Sequence, residues 1–196
     1  MHTVLNVGGN RKEIGISAHY AGWTHHLLDI SPDGNPDLVC DARQMHTLAP
    51  AAYDAVYCSH NLEHYLHHDA RQVAAGFLHV LRDDGFAEIK VPDMAQLMKL
   101  CVERGLDLDD MVYEAPAGPI LARDIFWGYG NKIEASGNDF YAHKTGFTPK
   151  SLTRFLEDAG FAEVFLDASA TDRIEVAAIA FKCAGPNPHK ALLGIP

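Results

Sequence analysis

Two hydrophobic periods alternate along this chain, one of two residues and one of three to four. Residues 3–7 form a compact β-forming run closed by Gly8-Gly9-Asn10, which predicts a strand followed by a tight turn. The stretch from residue 11 to 23 lacks helical spacing and is interrupted by Gly15 and Gly22, so an irregular or short helical crossover is expected. Residues 26–30 read as a second strand with Asp29 near its end. Pro32, Asp33-Gly34 and Asn35-Pro36 mark a loop, and residues 38–40 a third strand closing on Asp41-Ala42. A fourth apolar run, residues 55–58, ends in the polar cluster Ser59-His60-Asn61. Beyond Asp69, a candidate N-cap, Val73, Phe77, Val80 and Leu81 recur on one helical face until Asp83-Asp84-Gly85 stops them. Residues 86–91 then predict a fifth strand closed by Pro92, parallel to the fourth across a right-handed crossover.

Met94, Leu97, Met98 and Cys101 place a helix over residues 93–104. The insert that follows, about 105–147, carries Tyr113, a turn at 115–119, the group Phe126-Trp127-Gly128-Tyr129 and then residues 140–146, FYAHKTG. Its aromatics and glycines suit a lid or pocket wall. Thr148 as N-cap, Pro149 in the first turn, a stripe of Leu152, Phe155, Leu156 and Ala159, and a closing Gly160 define a further helix. Residues 164–166 and 173–182 predict two strands joined by a short turn at 170–172, antiparallel at one sheet edge. The last thirteen residues, 184–196, hold three prolines and two glycines without periodicity and are expected to be loosely ordered. The expected organisation is one α/β domain over 1–183, a mostly parallel seven-stranded sheet with helices on both faces and an antiparallel terminal strand.

Composition narrows this further. A chain of 196 residues with 47% hydrophobic and 21% charged residues is long enough for one layered core. A net charge of -10 without any basic run argues against a nucleic-acid surface. No apolar stretch approaches a membrane span, and residues 1–9 read as a strand rather than a signal peptide. Cys40, Cys58, Cys101 and Cys183 form no CxxC pair, which suits buried reduced thiols in a cytoplasmic protein.

Candidate chemistry gathers at the strand ends. In open sheets of strand–helix–strand units, ligands bind beyond the carboxyl ends of the strands. Four successive strands here end in Gly8-Gly9, Asp29, Asp41 and Ser59-His60. A carboxylate at the end of the second strand can accept both hydroxyls of a ribose, and one a strand further can accept from an exocyclic amine such as that of adenine. Each aspartate alone is equally explained as a turn former. There is neither a GxGxxG nor a Walker pattern. In the cluster His60, His64, His67 and His68, the pair His60 and His64, or His64 and His68, could share a helix face as metal ligands, but the segment HNLEH does not place its glutamate as the HExxH motif does.

The segment from Tyr57 to His64, YCSHNLEH, resembles the SHxLEH stretch of small bacterial S-adenosylmethionine-dependent methyltransferases, the type 11 kind. Residues 80–86, VLRDDGF, are similar to their RVLKPGG turn. Val91-Pro92-Asp93, the run from His143 to Thr148, and Ala159-Gly160-Phe161 match later motifs. The resemblance covers about residues 3–182 and implies a Rossmann-like methyltransferase fold with S-adenosylmethionine as cofactor. It implies that Gly8 and Gly9 lie against the methionine part, that Asp29 binds the ribose, and that Asp41 with the Ala42 backbone faces the adenine. Ser59 and His60 would flank the reacting methyl group, with Glu63-His64 shaping the pocket.

The sequence departs from the family at Asn6, where an acidic residue is usual, in the Gly-Gly-Asn turn, and at Gly85-Phe86. Methyl transfer from a sulfonium is an in-line displacement that needs alignment and sometimes a base. His143 and His60 are the candidate bases, and Tyr113, Trp127, Tyr129 and His143 the candidate acceptor pocket for a small-molecule or sugar-like substrate. Neither the acceptor nor the oligomeric state is readable from the sequence. A catalytically silent methyltransferase-like module is the alternative, and a metal-dependent hydrolase using the histidines from His60 to His68 a more distant one.

Overall fold

The computed structural model describes residues 1–115, 118–167 and 174–195. In chain order its elements are β1 (Thr3–Val7), β2 (Thr24–Asp29), β3 (Leu38–Val39), β4 (Tyr53–Ser59), α1 (His67–Val80), β5 (Leu81–Pro92) and α2 (Met94–Arg104). Then come β6 (Met111–Ala115), β7 (Gly118–Leu121), α3 (Ala122–Trp127), α4 (Gly130–Ser136), α5 (Pro149–Ala159), β8 (Glu163–Asp167), β9 (Glu175–Phe181) and α6 (Pro188–Leu192). Seven strands form one sheet in the order β3-β2-β1-β4-β5-β9-β8, and β6 and β7 pair as a separate hairpin. The strands β1 to β5 run parallel, while β9 is antiparallel to both β5 and β8.

Every central strand is apolar on both faces, so alternate residues enter opposite cores. On β4, Val56 and Cys58 face the core under α1 and α5, and Ala55 and Tyr57 face the opposite one. Leu5 and Val7 on β1, and Ala87, Ile89 and Val91 on β5, join the first set; Val4 and Phe86 join the second. The second face is covered by the one-turn 3₁₀ helix Ala18–Tyr20, Trp23 and the C-terminal residues Leu193 and Ile195. No long helix connects β1 to β2, β2 to β3 or β3 to β4; each crossover carries a 3₁₀ segment instead.

Several sequence expectations change. Asp69 is not the N-cap: α1 starts at His67, and Asp69 lies in its first turn, where a negative charge complements the helix dipole. Leu81 leaves the helix and pairs with Tyr53, after which residues 82–85 bulge before Phe86 pairs with Ala55. Within residues 184–195 the chain forms α6, and His189, 3% exposed, packs against His2, Trp23 and Phe86. The four cysteines are free, and of them only Cys58 is buried. The expected turn at 170–172 and the first residue of the expected last strand, Arg173, fall outside the described residues. Among the described residues no helix is long and apolar enough to cross a membrane.

Asp54 anchors the amino end of β4 to its neighbours. Its carboxylate accepts the Thr3 amide at 2.7 Å, faces the His2 ring at 3.2 Å, and pairs with Arg82 in the β5 bulge. Burial pushes the Asp54 carboxyl up, but the Thr3 amide, Arg82 and His2 together hold it below its ordinary value. A depressed carboxyl stabilises the fold above its unfolded pKa, about 3.9, and that stabilisation is lost as pH falls through the folded value. Asp54→Asn is expected to cost about 2 kcal/mol at neutral pH. Urea denaturation should show that gap closing under acid conditions, and equal stabilities at pH ~7 would contradict it.

Candidate functional site

The chain proceeds from β1 outward to β3, then returns to β4 on the other side of β1, so the β1–β4 boundary is the sheet's switch point. At its carboxyl edge β1 ends in the Gly8-Gly9-Asn10 turn. Gly8 has φ 72° and Asn10 φ 62°, and the Gly8 amide donates to Leu28 O at 2.8 Å, which ties the turn to β2. A Cβ at Gly8 would collide with the side-chain amide of Asn61, and one at Gly9 with that of Asn6. Asp29, closing β2, accepts the Asn10 amide on Oδ2 at 3.0 Å and the Ser31 amide on Oδ1 at 2.9 Å. A carboxylate has about four acceptor positions, so both oxygens retain capacity for further donors. Ser59 ends β4, and His60 follows with φ 50°, its amide held by Lys90 O at 2.9 Å.

These strand ends open into one cavity of about 1190 Å³. Gly8, Gly9, Asp29, Ser59, His60 and Asn61 line its sheet side; Lys132, Phe140, Tyr141 and Lys144 form the far wall. Five residues singled out from the sequence, Gly8, Gly9, Asp29, Ser59 and His60, are thus brought together. Asp41 and Ala42 are not among the lining residues. The Asp41 carboxylate is clasped by the Arg43 guanidinium at 2.6–3.1 Å, and Ala42 is buried in the core beneath α1. Arg43 is the residue that reaches the cavity. The insert does contribute a wall, but through residues 132–144. Tyr113 and Trp127 are 41% and 56% exposed and lie outside this cavity. Tyr129 borders a separate hollow of about 360 Å³ beside Pro119, Arg123 and Asp124. Of the residues sequence reasoning passed over, Asn61, Tyr141 and Lys144 stand inside segments already singled out, while Arg43 carried no local signal.

Electrostatics concentrate just behind His60. Its Nε2 lies 3.0 Å from Glu175 and its Nδ1 3.4 Å from Glu63. Burial alone would lower the His60 pKa, but the hydrogen bond to Glu175 and the nearby Glu63 carboxylate override it and lift the ring to about 9. His60 is therefore an imidazolium at neutral pH and offers donors, not a lone pair. Glu63, with a side chain 1% exposed, is pushed up by burial and held down by His60, His64 and His143, so it stays ionised. His143 is pushed down by burial, with Glu63 opposing, and its Nδ1 donates to Ile125 O at 2.8 Å. Its Nε2 stands 4.0 Å from Glu63, behind the cavity wall. The histidines at 60, 64, 67 and 68 do not converge: His67 rests on the Phe155 ring, and the His68 side chain is 64% exposed.

No family model matches the chain, and no curated protein matches it. Solved structures do. A SAM-dependent methyltransferase from Archaeoglobus fulgidus is 17% identical with a TM-score of 0.56, over 91% of this chain and 85% of that one. A 1,6-didemethyltoxoflavin-N1-methyltransferase from Burkholderia thailandensis is 15% identical with a TM-score of 0.51, over 93% and 71%. An O-methyltransferase family protein from the same organism is 13% identical with a TM-score of 0.54, over 94% and 52%. The chain shares their Rossmann-like methyltransferase fold.

The packing at the glycine turn separates two cavity glycines. Gly8→Ala should lower stability by about 1–3 kcal/mol, through its left-handed backbone and the collision with Asn61. Gly15→Ala on the same cavity meets nothing within 4 Å and should be near neutral. Thermal unfolding of the two variants checks this; equal midpoints would contradict it.

Proposed function

We propose that this chain is an S-adenosylmethionine-dependent methyltransferase acting on a small-molecule acceptor in the 1190 Å³ cavity. The observation that carries the proposal is the meeting of the Gly8-Gly9 turn, Asp29 and Ser59-His60 in one cavity at the β1–β4 switch point. The residues fit such a cofactor. Asp29 keeps acceptor positions for the ribose hydroxyls. Asn61 packs its side-chain amide nitrogen over Gly8, and its side-chain oxygen, buried and without a hydrogen-bond partner, is an acceptor suited to the amino group of the methionine part. Arg43 takes the place expected for Asp41 at the adenine side, with Asp41 as its positioning residue.

The cofactor supplies an activated methyl group; the protein supplies alignment and exclusion of water. His60 is assigned to hold Glu175 and Glu63 at the cavity edge through its two ring nitrogens, and its raised pKa removes it as a base near neutrality. His143, behind the wall, is assigned to support Glu63 rather than to take a proton from the acceptor. Methyl acceptors small enough for this cavity include the sugar-like and aromatic classes, with Tyr141 and Phe140 as the apolar wall.

One observation favours a catalytically silent module instead. Asn61 packs so closely on Gly8, and Asn6 on Gly9, that packing by itself accounts for both glycines. Calorimetry with S-adenosylmethionine and S-adenosylhomocysteine separates the readings. The enzyme reading expects binding that Asp29→Ala weakens at least about tenfold, a loss of ~1.4 kcal/mol or more. No heat from either ligand at millimolar concentration would sink it.

A further inference from the structure

Glu63 is a buried carboxylate with neither oxygen hydrogen-bonded. Native proteins rarely leave such a group unsatisfied, since a desolvated charge without close partners is costly. His60 Nδ1 at 3.4 Å and His143 Nε2 at 4.0 Å are its nearest cationic or polar side-chain neighbours in ion-pair range. Two histidines flank it in a defined chemical form. His64 Nδ1 lies 3.1 Å from Ala142 O, and His143 Nδ1 lies 2.8 Å from Ile125 O. A carbonyl can only accept, so each ring carries a proton on Nδ1, and in the neutral imidazole the lone pair is on Nε2. A second-shell backbone carbonyl of this kind orients a metal-binding histidine.

The three side chains come from two distant segments locked together. Glu63 O accepts the amides of Lys144 at 2.8 Å and Thr145 at 3.2 Å, which fixes the 3₁₀ turn Leu62–His64 to the loop carrying His143. The donor atoms of Glu63, His64 and His143 all lie within 4.8 Å of one another, and the two rings are 5.0 Å apart. Metal–ligand bonds of about 2.0–2.2 Å require these atoms to draw in further. We propose that Glu63, His64 and His143 form a binding site for a divalent transition-metal ion of the zinc class. Two imidazole nitrogens and one carboxylate oxygen suit such an ion, and three protein ligands leave a position open. His64 also lines the large cavity, so the ion would stand at its edge. The site stands independently of cofactor binding.

The other converging group among the described residues, His2, Asp54 and His189, lacks this character. Asp54 already accepts the Thr3 amide and pairs with Arg82, which cannot give up its proton to make room for a metal ion, whereas His60 beside Glu63 can.

The test uses the full chain without a histidine tag, stripped with chelator and titrated with Zn²⁺ alone, with Co²⁺ absorption reporting the coordination. One ion per chain at micromolar affinity or tighter is expected, with a rise in the thermal midpoint. His143→Ala and Glu63→Gln should each weaken binding by more than about tenfold, while His189→Ala and His67→Ala leave it unchanged. If Glu63→Gln proves unfolded by circular dichroism, His64→Ala supplies the same readout. Absence of stoichiometric binding, or binding that survives His143→Ala and His64→Ala, would overturn the assignment.

Discussion

The burial of β4 on both faces and its pairing on both edges is the constraint on which the open end of the sheet depends. Val56 and Cys58 are sealed under α1 and α5, Ala55 and Tyr57 under the opposite layer, and β1 and β5 hold the two edges. Such a strand cannot slip by one residue without exchanging its two cores. Its register therefore fixes both ends at once: Asp54 at one, where Thr3 and Arg82 meet it, and Ser59-His60 at the other, facing the Gly8-Gly9 turn. The cavity is where it is because β1 and β4 part company there, with their next connections leading in opposite directions.

A second layer of constraint lies just behind that edge. The turn after β4 carries Glu63 inward, and its backbone carbonyl receives the 144–145 amides while its carboxylate faces His60 and His143. The cavity's far wall, Tyr141 and Lys144, is thereby joined to its sheet side through one residue. His60 is drawn the other way by Glu175 on β9, the antiparallel strand at the far side of β5. Charge at the site is thus shared among β4, β9 and the insert. This explains why a histidine next to the expected reaction centre is held as a cation rather than as a free base.

Local signals in the sequence were sufficient wherever one element's own residues decide the outcome. Thr148, Pro149, the Leu152-Phe155-Leu156 stripe and Gly160 are the cap, first turn, buried face and left-handed end of α5. Residues 3–7 are equally legible, and the helix expected over 93–104 forms as α2 with Asp93 as its cap. What was not legible depends on contacts between distant segments. Leu81 obeys the helical spacing of α1 yet pairs with Tyr53, because strand pairing outweighs one more helical turn. Asp41 sits at a strand end, but nothing in the pattern announces that Arg43 folds back onto it. His189 lies in a proline-rich tail, and only the uncovered Trp23–Phe86 face explains its burial. The meeting of Glu63 with His143 joins residues eighty apart that share no periodicity.

The central claim is that the strand ends around Gly8, Asp29 and His60 form a cofactor site and not merely a solvent-filled cleft. A crystal structure of the protein grown with S-adenosylhomocysteine tests it most directly. The ligand should lie in the cavity between β1 and β4, with its ribose hydroxyls on Asp29 and its methionine part along the Gly8-Gly9 turn beside Asn61. An empty cavity under saturating ligand, or ligand bound anywhere else on the chain, would contradict it.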